Sequence, residues 1–115
     1  AGTMGLNGEG GLGALYCFPT ANEARREVDG VSISNGLAWS VDGTTLYYID
    51  SPTRRVDAFD FNPEAGRITN RRPVVAFPAG PDVPDGCTLD AEGHIWAANA
   101  PCPVISSILP PPLPY

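Results

Sequence analysis

The stretch Asn35-Gly-Leu-Ala-Trp-Ser-Val-Asp-Gly43 decides how this chain is read, because it returns as Asp85-Gly-Cys-Thr-Leu-Asp-Ala-Glu-Gly93. Each copy opens on an Asx-Gly pair and reaches an acid-Gly pair at the same offset. Each then runs into an aromatic-bearing strand, Leu46-Tyr47 in one and Ile95-Trp96 in the other. An acid-Gly pair between apolar runs signals a hairpin, since Gly supplies the positive φ that a tight turn needs. The copies stand 50 residues apart, and four strands fit between their starts: residues 37–40, 45–50, 55–61 and 73–77. A repeat of roughly 40–50 residues with four strands in each is what β-propeller blades leave in a sequence. An ordinary antiparallel sandwich lacks so long a period. The chain therefore reads as all-β, a partial propeller of about two blades.

Upstream, Gly13-Ala-Leu-Tyr-Cys-Phe18 reads as a strand, residues 19–22 as a turn, and residues 24–31 as a second strand. These are the later strands of one blade. Residues 36–77 make a whole blade, and residues 85–98 the first two strands of a third. A blade is covered on its faces by its neighbours, so a piece of this size is expected to be marginal, with open strand edges. After Asn99 the text turns proline-rich, ending Leu109-Pro-Pro-Pro-Leu-Pro-Tyr115, and Pro removes the donor that a central strand needs. Residues 1–99 are thus expected to be propeller and residues 100–115 an irregular tail outside it. The abrupt ends give the expectation of a fragment of a larger fold.

Composition narrows the partners. Seven Lys and Arg stand against 13 Asp and Glu among 115 residues, a net charge of −6. Nucleic acids and anionic membranes bind through cationic surfaces, so neither is expected as a partner. No apolar run is long enough to span a bilayer. Cys17, Cys87 and Cys102 form no close-spaced metal pattern, and their odd number favours reduced thiols and a cytoplasmic location.

In a propeller the innermost strands line a central channel, so matched positions of successive blades converge there. Asn35 and Asp85 are such a pair, at the mouth of their innermost strands. An amide oxygen and a carboxylate are hard donors suited to Ca²⁺ or Mg²⁺. No His or Cys joins the matched pair, which disfavours tetrahedral zinc while leaving Zn²⁺ and Mn²⁺ open. Asp42, Asp50, Asp60, Asp82 and Asp90 lack such partners and read as structural or solvated. His94 reads as a hairpin-tip residue, and Ser40 and Ser51 have no neighbouring His. The glycines of residues 5–13 lack the Lys-Ser/Thr of a phosphate loop. Arg25-Arg26, Arg54-Arg55 and Arg71-Arg72 read as solvated strand faces. Residues 111–115 offer the composition of a polyproline II ligand but read as an unstructured terminus.

Ile33-Ser-Asn-Gly-Leu-Ala-Trp-Ser40, Leu46-Tyr-Tyr-Ile-Asp-Ser51, Val56-Asp-Ala-Phe-Asp-Phe61, Asn70-Arg-Arg72 and Pro84-Asp-Gly-Cys-Thr-Leu-Asp-Ala-Glu-Gly-His-Ile-Trp96 together resemble the senescence-marker-protein/gluconolactonase/regucalcin family, as does Ala1-Gly-Thr-Met4. The resemblance runs from Ala1 to about Asn99. It implies a six-bladed β-propeller with one divalent metal ion in its channel, Ca²⁺ before Zn²⁺, Mn²⁺ or Mg²⁺, and hydrolysis of sugar lactones. It implies Asn35 and Asp85 as metal ligands and Asp85 as the proton donor and acceptor. The family's metal-binding Glu and its substrate-binding Arg and Asn belong to segments absent from this chain, so the chain alone is expected to be inactive. A substrate-contacting Glu usually follows Gly-Thr-Met, and Asn7 and Glu9 both stand open for that place. The alternative reading is a non-catalytic calcium-binding propeller or a protein-interaction scaffold.

Overall fold

A computed structural model of the chain describes residues 1–101 and the backbone of residues 105–108. Its strands are β1 (Gly13–Thr20), β2 (Glu23–Val31), β3 (Ser34–Trp39), β4 (Thr45–Asp50), β5 (Arg55–Asn62), β6 (Arg67–Ala76), β7 (Val83–Leu89), β8 (Ile95–Ala100) and β9 (Ile105–Ile108). A short 3₁₀ turn, Ser51–Thr53, joins β4 to β5. All pairings are antiparallel and sequential, giving sheets β1-β2, β3-β4-β5-β6 and β7-β8-β9. The N-terminal residues add bridges to β1 and to the segment before β3, Gly2 opposite Leu15 and Met4 opposite Ile33.

The four-stranded meander is the complete blade, and β4 shows why its sequence is apolar without alternation. All six residues of Thr45-Leu-Tyr-Tyr-Ile-Asp50 are buried. Leu46 and Tyr48 pack with Leu15, Val28 and Val31 of the β1-β2 hairpin, while Tyr47 and Ile49 pack with Ile95 of β8. Covered on both faces, the strand has no polar side to keep. Burying an aliphatic or aromatic side chain of this size contributes about 1.5–3 kcal/mol. The two clusters therefore hold the three sheets together face to face.

The 50-residue repeat is visible in backbone bonds. Gly43 N–H donates to Ser40 O at 2.9 Å and Gly93 N–H to Asp90 O at 3.1 Å, with φ of 74° and 88° at the two glycines.

Three differences from the sequence reading have physical causes. First, β6 begins at Arg67, six residues before the expected strand, because the β5 ladder extends through Asn62 opposite Arg67. β6 is an edge strand, which is where Pro73 is tolerated. Second, most of the arginines expected on solvated faces are anchored. Arg55 Nε and Arg71 Nε each donate at 2.7 Å to the carboxylate of Asp57, which is 2% exposed. Arg25 Nη2 reaches Ala65 O and Gly66 O at 2.9 and 3.0 Å, tying β2 to the β5–β6 turn. Third, β8 runs through Ala100 and β9 continues the sheet at residues 105–108, inside the stretch expected to be an irregular tail. Cys102 and residues 111–115 lie outside the described residues.

Candidate functional site

Asn35 is the second residue of β3 and Asp85 the third of β7, the first strands of their sheets. These strands lie side by side, and the Asn35 side-chain amide donates through Nδ2 to Asp85 Oδ1. The two positions matched by the repeat are thus in direct contact. Both residues are half-buried.

Two backbone features allow this approach. A Cβ on Gly36 would lie 2.8 Å from Cys87 Sγ, 2.8 Å from Ile49 Cδ1 and 2.9 Å from Asp85 O. Real Cβ atoms do not come so close, so the glycine admits β7 beside β3. The lead-in to β3 is fixed by Asp50, 6% exposed, whose carboxylate accepts from Ser32 N–H at 3.1 Å and Ile33 N–H at 2.8 Å. The structural reading of Asp50 holds, with a purpose the sequence did not reveal.

Sequence reasoning missed Ser51. Its hydroxyl accepts from Asn35 Nδ2 at 3.1 Å, and the residue is 2% exposed at the start of the 3₁₀ turn. Nothing 50 residues downstream matches it, since that position is Pro101. The only signal was its place directly after the buried strand.

The Asn35 amide thus has both partners on its nitrogen, and its oxygen is the atom that would face a cation once the amide turned about its terminal bond. Asp85 contributes carboxylate oxygens at the same spot. This pair fits a hard divalent cation by donor chemistry, as two of the six to eight oxygens Ca²⁺ takes. Among the described residues no three His, Cys, Asp or Glu side chains gather into a metal-sized group. Burial pushes the neighbouring Cys87 thiol up to about 11, so it stays protonated and inert at neutral pH.

The remaining candidates lie elsewhere or serve the fold. Ser40 and Asp42 bond each other at 2.6 Å in the hairpin at the far end of β3. His94 Nδ1 lies 3.1 Å from Asp90 Oδ2 in the matching hairpin. Asp60 meets Arg72 at 3.0 Å on an exposed face. Asn7 and Glu9, both open for a substrate contact, bond each other: Asn7 N–H donates to Glu9 Oε2 at 2.9 Å and Asn7 Nδ2 to Oε1 at 3.3 Å. The backbone N–H groups of Glu9 and Asn7 hold that carboxyl below its usual range. Their loop is pinned beside the lead-in to β3, where Gly11 N–H donates to Ser32 Oγ at 3.1 Å. No helix among the described residues is long and apolar enough to cross a membrane.

Known proteins resemble this chain in sequence and fold. Human regucalcin is 45% identical over 86 residues, which cover 75% of this chain and 29% of that protein. Among solved structures, a luciferin-regenerating enzyme superposes with a TM-score of 0.78 at 37% identity, over 84% of this chain and 34% of the other. A regucalcin from Agrobacterium tumefaciens, described as a calcium-binding protein, gives 0.77 at 32%, over 84% and 33%. A gluconolactonase from Xanthomonas campestris gives 0.62 at 26%, over 87% and 35%. The chain spans about a third of the length of these relatives, and its sheets are part of their β-propeller fold. The SMP-30/Gluconolactonase/LRE-like region matches residues 1–106, a stretch that holds the Asn35 and Asp85 contact and every strand up to the start of β9, and the chain belongs to that family.

Proposed function

We propose that this chain is part of a divalent-metal-dependent hydrolase of sugar lactones, with Asn35 and Asp85 as two ligands of the ion and Asp85 as the group that moves the proton. The observation that carries the reading is the direct contact of the Asn35 amide with the Asp85 carboxylate across the adjacent first strands of two sheets. Membership of a family that includes gluconolactonases supports the lactone as substrate class. The calcium-binding description of a structural neighbour supports Ca²⁺ as the first metal to test, before Zn²⁺, Mn²⁺ or Mg²⁺.

When bound, the ion would polarise the lactone carbonyl and offset the negative charge that develops on its oxygen. The chain's own residues do the rest. A water adds to the carbonyl carbon, and Asp85 takes the proton that this water releases. The ring C–O bond then breaks, and the same carboxyl returns the proton to the departing alkoxide, leaving the open sugar acid. Asn35 supplies a neutral oxygen donor, and the Ser51 hydroxyl bonds the same amide. Two donors fall short of a full shell, so the 115-residue chain alone is inactive in this reading, and residues of a longer protein complete the site.

The test uses an intact relative and this chain in parallel, with glucono-1,5-lactone opening followed by pH-stat. Alanine at the positions aligned with Asn35 and Asp85 is expected to lower metal-dependent turnover in the relative by about 10²–10⁴-fold, the usual worth of a positioned acid–base group. Unchanged turnover in both variants would end the proposal. The calcium-binding description of a structural neighbour also supports one other reading, a non-catalytic calcium-binding propeller. In that case calcium raises the melting temperature of the intact relative while the lactone opens no faster than in buffer.

A further inference from the structure

We infer that Arg54 is a positioning residue for the Asn35–Asp85 contact, stapling together the two segments that bring those side chains to one place. Arg54 follows the 3₁₀ turn and adopts left-handed backbone angles, φ 57° and ψ 35°, a conformation that L side chains rarely accept. That backbone aims its side chain at the crossover from β6 to β7, residues 77–82. Its Nη1 donates to Gly80 O at 3.1 Å, and its Nη2 donates to Pro78 O. Its own main chain closes the join: Arg54 N–H donates to Ser51 O at 3.1 Å, and Phe77 N–H donates to Arg54 O at 2.8 Å.

These bonds complete a ring of contacts. Asn35 bonds Ser51; Ser51 leads through the turn to Arg54; Arg54 holds the crossover; the crossover enters β7; and Asp85 of β7 meets Asn35. Packing holds the crossover only at its start, where Phe77 lies against the Ile95 cluster. Pro78, Ala79, Gly80 and Pro81 are all exposed, and beneath them lies a cavity of about 200 Å³ that Arg54, Phe77 and Asn99 also line. Charge-assisted bonds from a rigid fork tie the exposed Pro78 and Gly80 carbonyls to the turn after β4. The guanidinium touches neither Asn35 nor Asp85, so its effect on them passes through Ser51 and the crossover.

The inference rests on the metal reading above for one of its two readouts only. Calcium is titrated calorimetrically into the full 115-residue chain, for wild type, Arg54→Gly and Arg54→Lys. In parallel, the side-chain amide signals of Asn35 are followed by NMR. Glycine accepts left-handed angles, so Arg54→Gly removes the guanidinium and leaves the turn unstrained. Loss of a group that orients ligands typically weakens metal binding 10–100-fold, and Arg54→Gly is expected to fall at about tenfold. The Asn35 amide signals move toward those of a free amide, the Phe77 backbone amide exchanges faster, and the Thr44 and His94 amides at the far hairpins stay unchanged. Arg54→Lys, whose single ammonium reaches one carbonyl, restores part of both effects and serves if the glycine variant unfolds. Unmoved Asn35 signals in folded Arg54→Gly overturn the inference, even where the crossover itself loosens. A wild-type chain that takes up no calcium leaves the metal reading to the intact relative, whose residues complete the shell, and the Asn35 signals then decide the staple alone.

Discussion

Gly36 and Gly86 occupy the same place in the repeat and answer to different physics. Gly36 is walled in by Cys87, Ile49 and the Asp85 carbonyl, whereas a Cβ on Gly86 would meet nothing within 4 Å. The first glycine sits where the β7-β8-β9 sheet covers its blade; the second faces away from that interface. The segments that lead into these glycines differ as well. The lead-in to β3 is held by the Asp50 carboxylate, which collects two backbone N–H groups. The lead-in to β7 is held by a guanidinium, which collects two backbone carbonyls. One repeat thus fixes the first strands of two sheets with opposite charges, a carboxylate collecting N–H groups in one and a guanidinium collecting carbonyls in the other.

Breaking the carboxylate side of that comparison has the largest expected effect. Asp50→Ala leaves the Ser32 and Ile33 N–H groups without their acceptor. At about 1–3 kcal/mol for each unsatisfied buried donor, a loss of about 3 kcal/mol is expected, read as a lower urea midpoint. A change within 0.5 kcal/mol would mean that the lead-in to β3 is held by something else. Gly36→Ala comes next. The added methyl must push β4 or β7 aside, and overpacking of this kind costs about 1–3 kcal/mol. Gly86→Ala, with open space before it, is expected to stay within about 0.5 kcal/mol of wild type, as surface substitutions do. Equal losses at the two glycines would show that the turn itself, and not its neighbours, demands the residue.

The same contrast explains what the sequence disclosed. Asn35 and Asp85 were legible because a repeat makes two distant positions equivalent, and equivalence in a propeller means convergence. The apolar run of β4 was legible because burial on both faces erases alternation. Ser51 was not, because it reaches Asn35 from a connecting turn, and connections vary between repeats while strands do not. The Asp57 cluster was hidden for a related reason. Arg55 and Arg71 come from different strands and converge on a buried carboxylate, a meeting that no window along the chain displays. The polar start of β6 was hidden because pairing to β5, and not its own pattern, makes it a strand.

The smallest effect separates the two far hairpins. Asp42 and Asp90 both have carboxyls held below their ordinary value, but by different donors. For Asp42 the Ser40 hydroxyl acts first, followed by the backbone and hydroxyl of Thr44. For Asp90 the Trp96 indole N–H, at 2.9 Å, acts first and carries the carboxyl to about 2 from 3.8, with the His94 and Glu92 backbone N–H groups adding to it. A carboxyl whose folded value is depressed binds fewer protons in the folded state than in the unfolded one. Its contribution is therefore complete above about pH 4 and is lost as the pH falls toward 2. Urea midpoints measured across that window should fall in wild type and fall less in Asp90→Asn. Trp96→Phe, which removes the leading donor, should flatten the same window. Asp42→Asn should flatten it to a smaller degree, since no aromatic donor reaches that carboxylate. Equal flattening from the two Asp variants would mean that the indole adds nothing, and that two turns alike in backbone are alike in energy.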